Sequence, residues 1–142
     1  MQISSAVRVT RPGKESGRIV FKWHSANALW DTGAAVSAIS RELAGRLGLQ
    51  IRERAVLATA AGRVPTIKDI VLLDLLLDNT VIPVMAAVVD AIPGTGNDFL
   101  IGMDVIQCGD FSLSTDHANH EFKVSFTPYP GIFRPIGNLF GK

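Results

Sequence analysis

The residues best placed to do chemistry are Asp31, Thr32 and Gly33, at the end of the apolar run Ala28-Leu29-Trp30. Gly33 has no Cβ and tolerates unusual dihedrals, so backbone N–H groups can approach the Asp31 oxygens. A carboxylate held by neighbouring N–H groups on a tight turn is suited to acid–base work. The tripeptide alone carries little weight, because Asp-Ser/Thr-Gly arises by chance in roughly one chain in fifteen of this length. Its surroundings must carry the rest.

Other candidate clusters are weaker. Asp116-His117-Ala118-Asn119-His120-Glu121 offers imidazoles and carboxylates, but it sits between two predicted strands and lacks a helical apolar face, so it reads as a solvated hairpin loop and no metal site is expected. Cys108 falls on a short predicted helix and reads as a buried thiol, not a nucleophile. His24 lies in a predicted turn. Gly94-Thr95-Gly96 lacks the length and following helix of a phosphate loop. No cofactor is implied.

The elements that must position Asp31 follow from pattern. Met1 to Gly17 is polar and interrupted by Pro12 and Gly13, which reads as an arm. Arg18 to Trp23 alternates as a strand, His24 to Asn27 would turn it, and Ala28 to Asp31 would return. Ser40 is placed to cap a helix running through Leu47, with Gly48 just past its end and Leu43 and Leu47 on the buried face. Ala55 to Thr59 and Arg63 to Lys68 flank Ala60-Ala61-Gly62, a hairpin tip. Ile70 to Leu77 and Val81 to Val89 are nearly continuous apolar runs, as expected of strands covered on both faces. Phe99-Leu100-Ile101 runs into Gly102 and a short helix from Met103 to Cys108. Asp110 to Ser114 and Glu121 to Phe126 form a last hairpin. Thr127 to Lys142 is broken by prolines and glycines yet rich in Tyr129, Ile132, Phe133, Ile136, Leu139 and Phe140. Such a tail is expected to pack on its own domain or on a second subunit.

Composition bounds the function. The chain has 142 residues, which fits one domain. Hydrophobic residues make up 47%, charged residues 19%, and mean hydropathy is +0.26, so some apolar surface is expected to be covered by a partner. A net charge of +1 argues against nucleic acid, which requires a concentrated basic surface. Arg41, Arg46, Arg52 and Arg54 read as a solvated helix face and its following turn. A lone cysteine forms no intrachain disulfide, Met1 to Ser16 holds no apolar core of a signal peptide, and Val81 to Val89 is too short to cross a bilayer. The expectation is a cytoplasmic protein with no membrane partner.

With these residues in place, the chain resembles the retropepsin-like aspartic proteases, on the side of the bacterial and ubiquitin-shuttle relatives. The resemblance rests on the apolar lead into Asp31-Thr32-Gly33-Ala34, on Ala35-Val36-Ser37-Ala38-Ile39 after it, and on Leu100-Ile101-Gly102 before the last helix. One departure is Trp30, where the family usually carries a smaller aliphatic residue, and an indole there bears on pocket size. The resemblance implies a mainly β acid-protease barrel with one or two short helices, one lobe per chain, in a two-fold homodimer. It implies an arm at 1–17, a protease domain at 18–126 and an apolar tail at 127–142. Asp31 would be the catalytic residue, paired with Asp31 of a second copy, because no other aspartate has the Asp-Ser/Thr-Gly context. Thr32, Gly33 and Ala34 would form the active-site turn. Ala60, Ala61 and Gly62, at the position of the family's flap, and Leu100, Ile101 and Gly102 would serve substrate binding. The substrate would be a peptide or protein. The alternative is a retropepsin-like dimerisation or peptide-binding module that does not cut.

Overall fold

The computed structural model describes residues 3–12, 14–15, 18–19, 23–59, 62–77, 79–130 and 134–135. In chain order the elements are β1 (Ile3–Thr10), β2 (Lys14–Glu15), β3 (Arg18–Ile19), β4 (His24–Trp30), β5 (Ala38–Ser40), α1 (Arg41–Leu47), β6 (Ile51–Thr59), β7 (Gly62–Leu77), β8 (Thr80–Val89), β9 (Phe99–Ile101), α2 (Met103–Ile106), β10 (Gly109–Asp116), β11 (Glu121–Pro128) and β12 (Arg134–Pro135).

The chain is mainly β. Strands follow the order β8-β5-β9-β4-β1-β7, and β7 pairs back onto β8, closing a six-stranded barrel. Closure leaves no edge within the ring, while β6 extends it from β7 and β12 from β8. β4 runs parallel to β9, and β5 parallel to β8. The interior is apolar: Val9, Ile39, Leu73, Leu75, Phe99 and Ile101 are fully buried.

Several elements differ from the sequence reading. Ile3–Thr10, expected within an arm, is a barrel strand bonded to β4 on one side and β7 on the other. Its inward Val7 and Val9 are buried while the alternating Ala6 and Arg8 are exposed, so a short alternation sufficed where the surrounding polarity suggested none. His24–Asn27, expected as a turn, is the first half of β4, with His24 opposite Val9 and Asn27 opposite Ala6. β4 therefore pairs with β1; of the expected Arg18–Trp23 strand, Arg18–Ile19 is bonded to Lys14–Glu15, and residues 20–22 lie outside the described residues. β7 is one strand where two were expected. Arg52 and Arg54 lie in β6, not in a turn, and Arg54 pairs with Asp69 of β7 at 3.1 Å.

The expected two-sided burial of β7 and β8 is also corrected. Along β7, Val71, Leu73, Leu75 and Leu77 are buried, whereas Leu72, Asp74 and Leu76 are only half-buried. Opposite them, Pro83 and Met85 of β8 are exposed. One face lines the interior and the other faces outward, the period-two rule of a strand with a single covered side.

The helix α1 forms as read. Ser40 accepts the Leu43 N–H on its hydroxyl at 3.2 Å, and Gly48 takes the left-handed conformation (φ 66°) that ends the helix. β10 and β11 form the expected last hairpin, in register from Gly109↔Pro128 to Asp116↔Glu121. Strand alternation puts Phe111, Leu113, Phe122, Val124 and Phe126 on one face of this ribbon and Asp110, Asp116, Glu121 and Lys123 on the other. Of the tail, Arg134–Pro135 pairs with Val81 and Thr80, while Ile132, Phe133, Ile136, Leu139 and Phe140 lie outside the described residues. Among the described residues, no helix is long and apolar enough to cross a membrane.

Candidate active site

Asp31 follows the last residue of β4. Its strand is hydrogen-bonded to β1 on one side and to β9 on the other. The Asp31 N–H donates to the Ile101 carbonyl at 3.0 Å, which extends the β4–β9 pairing by one bond and fixes where the strand ends. The chain then turns. Gly33 N–H donates to Asp31 Oδ1 at 2.8 Å, and Ala34 N–H donates to the Asp31 carbonyl at 3.3 Å. The carboxylate is thus tethered through one oxygen. Asp31 is half-exposed, Thr32 and Gly33 are exposed, and Ala34 is half-buried. Among the described residues Asp31 forms no ion pair. A carboxylate so held at the surface can take up or release the proton of a bound water.

The turn is backed by the segment after β9. Met103 N–H donates to the Ala34 carbonyl at 2.8 Å and Asp104 N–H to the Ala35 carbonyl at 3.2 Å. Leu100, Ile101 and Gly102 are all buried. Leu100 packs with Leu29 and Ile92, against which Ala34 lies, and Ile101 sits in the main core. These three residues support the turn from behind. Of the expected flap tip, Ala60 and Ala61 lie outside the described residues, and Gly62 opens β7 opposite Thr59.

Trp30 does not fill the space beside the carboxylate. Its side chain is in the core, 6% exposed, with Phe111 and Phe126 at ring-centroid distances of 5.5 and 5.6 Å. Its indole N–H donates to the Ser5 hydroxyl at 3.0 Å. Adjacent residues on a strand point to opposite sides, so a bulky residue at 30 is compatible with an open site at 31.

Sequence reading passed over Ser37 and Asp104. Ser37 donates to the Asp104 carboxylate from both its hydroxyl and its N–H, and its hydroxyl accepts the Gly102 N–H. Asp104 lies outside any Asp-Ser/Thr-Gly context. The available clue was a small hydroxyl residue in an otherwise apolar stretch, Ala34 to Ile39. The histidines at 117 and 120 sit in the β10–β11 turn, and no metal-binding group of side chains occurs among the described residues. Cys108 is half-buried, its thiol 3.4 Å from the Asp104 carbonyl.

A closed barrel with a carboxylate turn at the end of a strand paired on both sides is the arrangement of a retropepsin-like aspartic protease lobe. A family model described as gag-polyprotein putative aspartyl protease matches residues 19–108, and the chain belongs to that family. The match spans the Asp31 turn through α2, leaving β1 and the β10–β11 hairpin outside it. The chain is similar to a retropepsin-like aspartic protease from Rickettsia conorii, at 14% identity and TM-score 0.49 over 82% of this chain and 88% of that one. It is also similar to the retroviral protease-like domain of Ddi1 from Leishmania major, at 20% identity and TM-score 0.45 over 89% and 96%. No curated protein is matched.

Proposed function

We propose that the chain is an aspartic endopeptidase that works as a homodimer, with Asp31 of each copy supplying half of the reaction centre. The observation carrying this reading is the Asp31 turn: one half-exposed carboxylate, tethered by Gly33 N–H at 2.8 Å, at the end of a strand paired on both sides. The sequence has a single Asp-Ser/Thr-Gly. A two-fold axis through the turn brings the same residue from both copies together, as an isologous contact does. Two carboxylates that close hold one proton between them.

The ionised member takes a proton from the bound water as its oxygen attacks the scissile carbonyl carbon. The protonated member gives its proton to the carbonyl oxygen, producing a tetrahedral diol. Proton transfer to the amide nitrogen then breaks the C–N bond and releases an acid and an amine. Thr32 bonds across the dimer and locks the two turns, and Gly33 and Ala34 present backbone to the peptide. The apolar ribbon face supports a second copy: Leu113 and Phe122 are each 45% exposed on a surface continuous with the rings packed on Trp30.

The test compares wild type with Asp31→Asn on an unfolded protein substrate from mildly acid to neutral pH, with light scattering for mass. The expected result is a dimer whose cleavage falls at least about a hundredfold in the variant. Cleavage that survives in Asp31→Asn removes Asp31 from the chemistry. A dimer that cleaves nothing in either form is a binding module.

A further inference from the structure

Behind the Asp31 turn lies a second carboxylate that the proposed reaction leaves without a role. Asp104, in the first turn of α2, accepts three hydrogen bonds. Its Oδ1 takes the Ser37 hydroxyl at 2.7 Å and the Val105 N–H at 3.0 Å, and its Oδ2 takes the Ser37 N–H at 3.1 Å. The Ser37 hydroxyl is wholly buried and also accepts the Gly102 N–H at 3.0 Å. With its hydrogen committed to Asp104 and a lone pair to Gly102, that hydroxyl has one orientation.

We infer that Asp104 is a positioning residue, acting through Ser37 to hold the segment after Asp31 in register with α2, and that this position requires a carboxylate and excludes its amide. The inference rests on the proposed role of Asp31 only for its kinetic consequence. The segment is tied to α2 at three residues, through the carbonyls of Ala34 and Ala35 and through the N–H and hydroxyl of Ser37. Ala34 is in turn bonded to the Asp31 carbonyl, so slack at Ser37 is passed to the turn carrying the carboxylate. In a reaction centre built from two copies, each displacement acts twice.

The demand for a carboxylate follows from donor counting. Three donors converge on two oxygens, and two of them are backbone N–H groups that cannot reverse. An amide at 104 places its NH₂ either against the Ser37 N–H or against the Ser37 hydroxyl hydrogen and the Val105 N–H, the last of which also donates to the Gly102 carbonyl at 3.1 Å. One donor then faces another in a partly buried site. The pairing is charge-assisted only while an anion stands there.

Asp104→Asn, nearly the same shape, is the test. Its kcat on a peptide is expected to fall about 10- to 100-fold with KM within about twofold, the mark of misplaced machinery and not of lost binding. Amide exchange at Ser37, which donates to the carboxylate, and at Gly102, which donates to the Ser37 hydroxyl, is expected to accelerate while far-UV circular dichroism stays that of the wild type. Ser37→Ala is expected to move kcat and exchange in the same direction. Ser37→Thr, which keeps the hydroxyl, is expected to retain wild-type kcat. Wild-type kcat and wild-type exchange in Asp104→Asn would overturn the inference, and so would a fall in kcat matched by an equal rise in KM. Should Asp104→Asn fail to fold, Ser37→Ala decides by the same two readouts. Asp31→Asn runs alongside: cleavage surviving there overturns the proposed reaction, and the exchange rates then decide the role of Asp104 by themselves.

Discussion

The backbone of Val36 crosses Gly102 so closely that a β-carbon at 102 would lie 2.8 Å from the Val36 carbonyl carbon and 2.9 Å from the Ala34 and Val36 oxygens. Gly102 itself is extended (φ −95°, ψ −173°), a conformation open to any residue, so the requirement is purely one of space. The three obstructing atoms are backbone and cannot swing aside. Gly102→Ala is therefore expected to destabilise the fold by about 1–3 kcal/mol, the usual range for overpacking, and to displace the Asp31 turn. Urea unfolding and cleavage together check this. A variant as stable and as active as wild type would mean that the two segments separate freely.

Trp30 couples the core beneath Asp31 to the last hairpin. Trp30→Ala is expected to cost about 3–5 kcal/mol, through the cavity and the loss of both tilted ring contacts. Trp30→Phe keeps most of the volume but leaves the Ser5 hydroxyl without its indole partner, and a loss of about 1 kcal/mol is expected. Equal losses for the two substitutions, measured by chemical denaturation, would contradict this division.

Leu113 and Phe122 are nearly half exposed, so charging them alters the isolated lobe little. If their face meets a second copy, Phe122→Lys places like charges across a two-fold axis. Weakened association is expected by sedimentation velocity, with cleavage lost in proportion to dimer and the melting of the lobe itself nearly unchanged. Undiminished association would place the contact elsewhere on the barrel.

Asp116, the last residue of β10 before the turn to β11, is held below the ordinary carboxylate range. The Asn119 side chain is the main cause, 2.9 Å from Oδ2, with the Asn119 and Ala118 N–H groups on Oδ1 at 3.3 and 3.0 Å. Because the folded value is the lower one, the turn gains stability above the ordinary carboxylate range. That gain is lost as pH falls through the folded value. Asn119→Ala is expected to raise the Asp116 pKa toward the ordinary value in a carboxyl carbon NMR titration. An unmoved titration would assign the shift to the backbone donors alone.

Local chemistry made much of the site legible. The cap of α1 by Ser40, its stop at Gly48, the Asp31 turn and the β10–β11 hairpin each depend on residues a few positions apart, so short-range patterns suffice to read them. The β-branched and apolar run of β8 was equally plain. The partners of each strand were not, because pairing depends on residues far apart in the chain whose own patterns are weak.

β1 shows the difference. Its eight residues carry two small serines and an arginine, and nothing in them announces a barrel strand. It becomes one because β4 and β7 each present an open ladder to it, and ring closure satisfies both. The same closure drew His24–Asn27 out of the expected turn and into β4. By itself, the sequence determined that Asp31 sits on a tight glycine-bearing turn, and that α1 lies between the caps Ser40 and Gly48. Tertiary structure decided that Trp30 turns inward, that Asp104 grips Ser37, and that Val36 lies across Gly102. Those contacts arise only when β4, β5 and β9 are laid side by side, since the energy of each is shared between segments that meet in space and not along the chain.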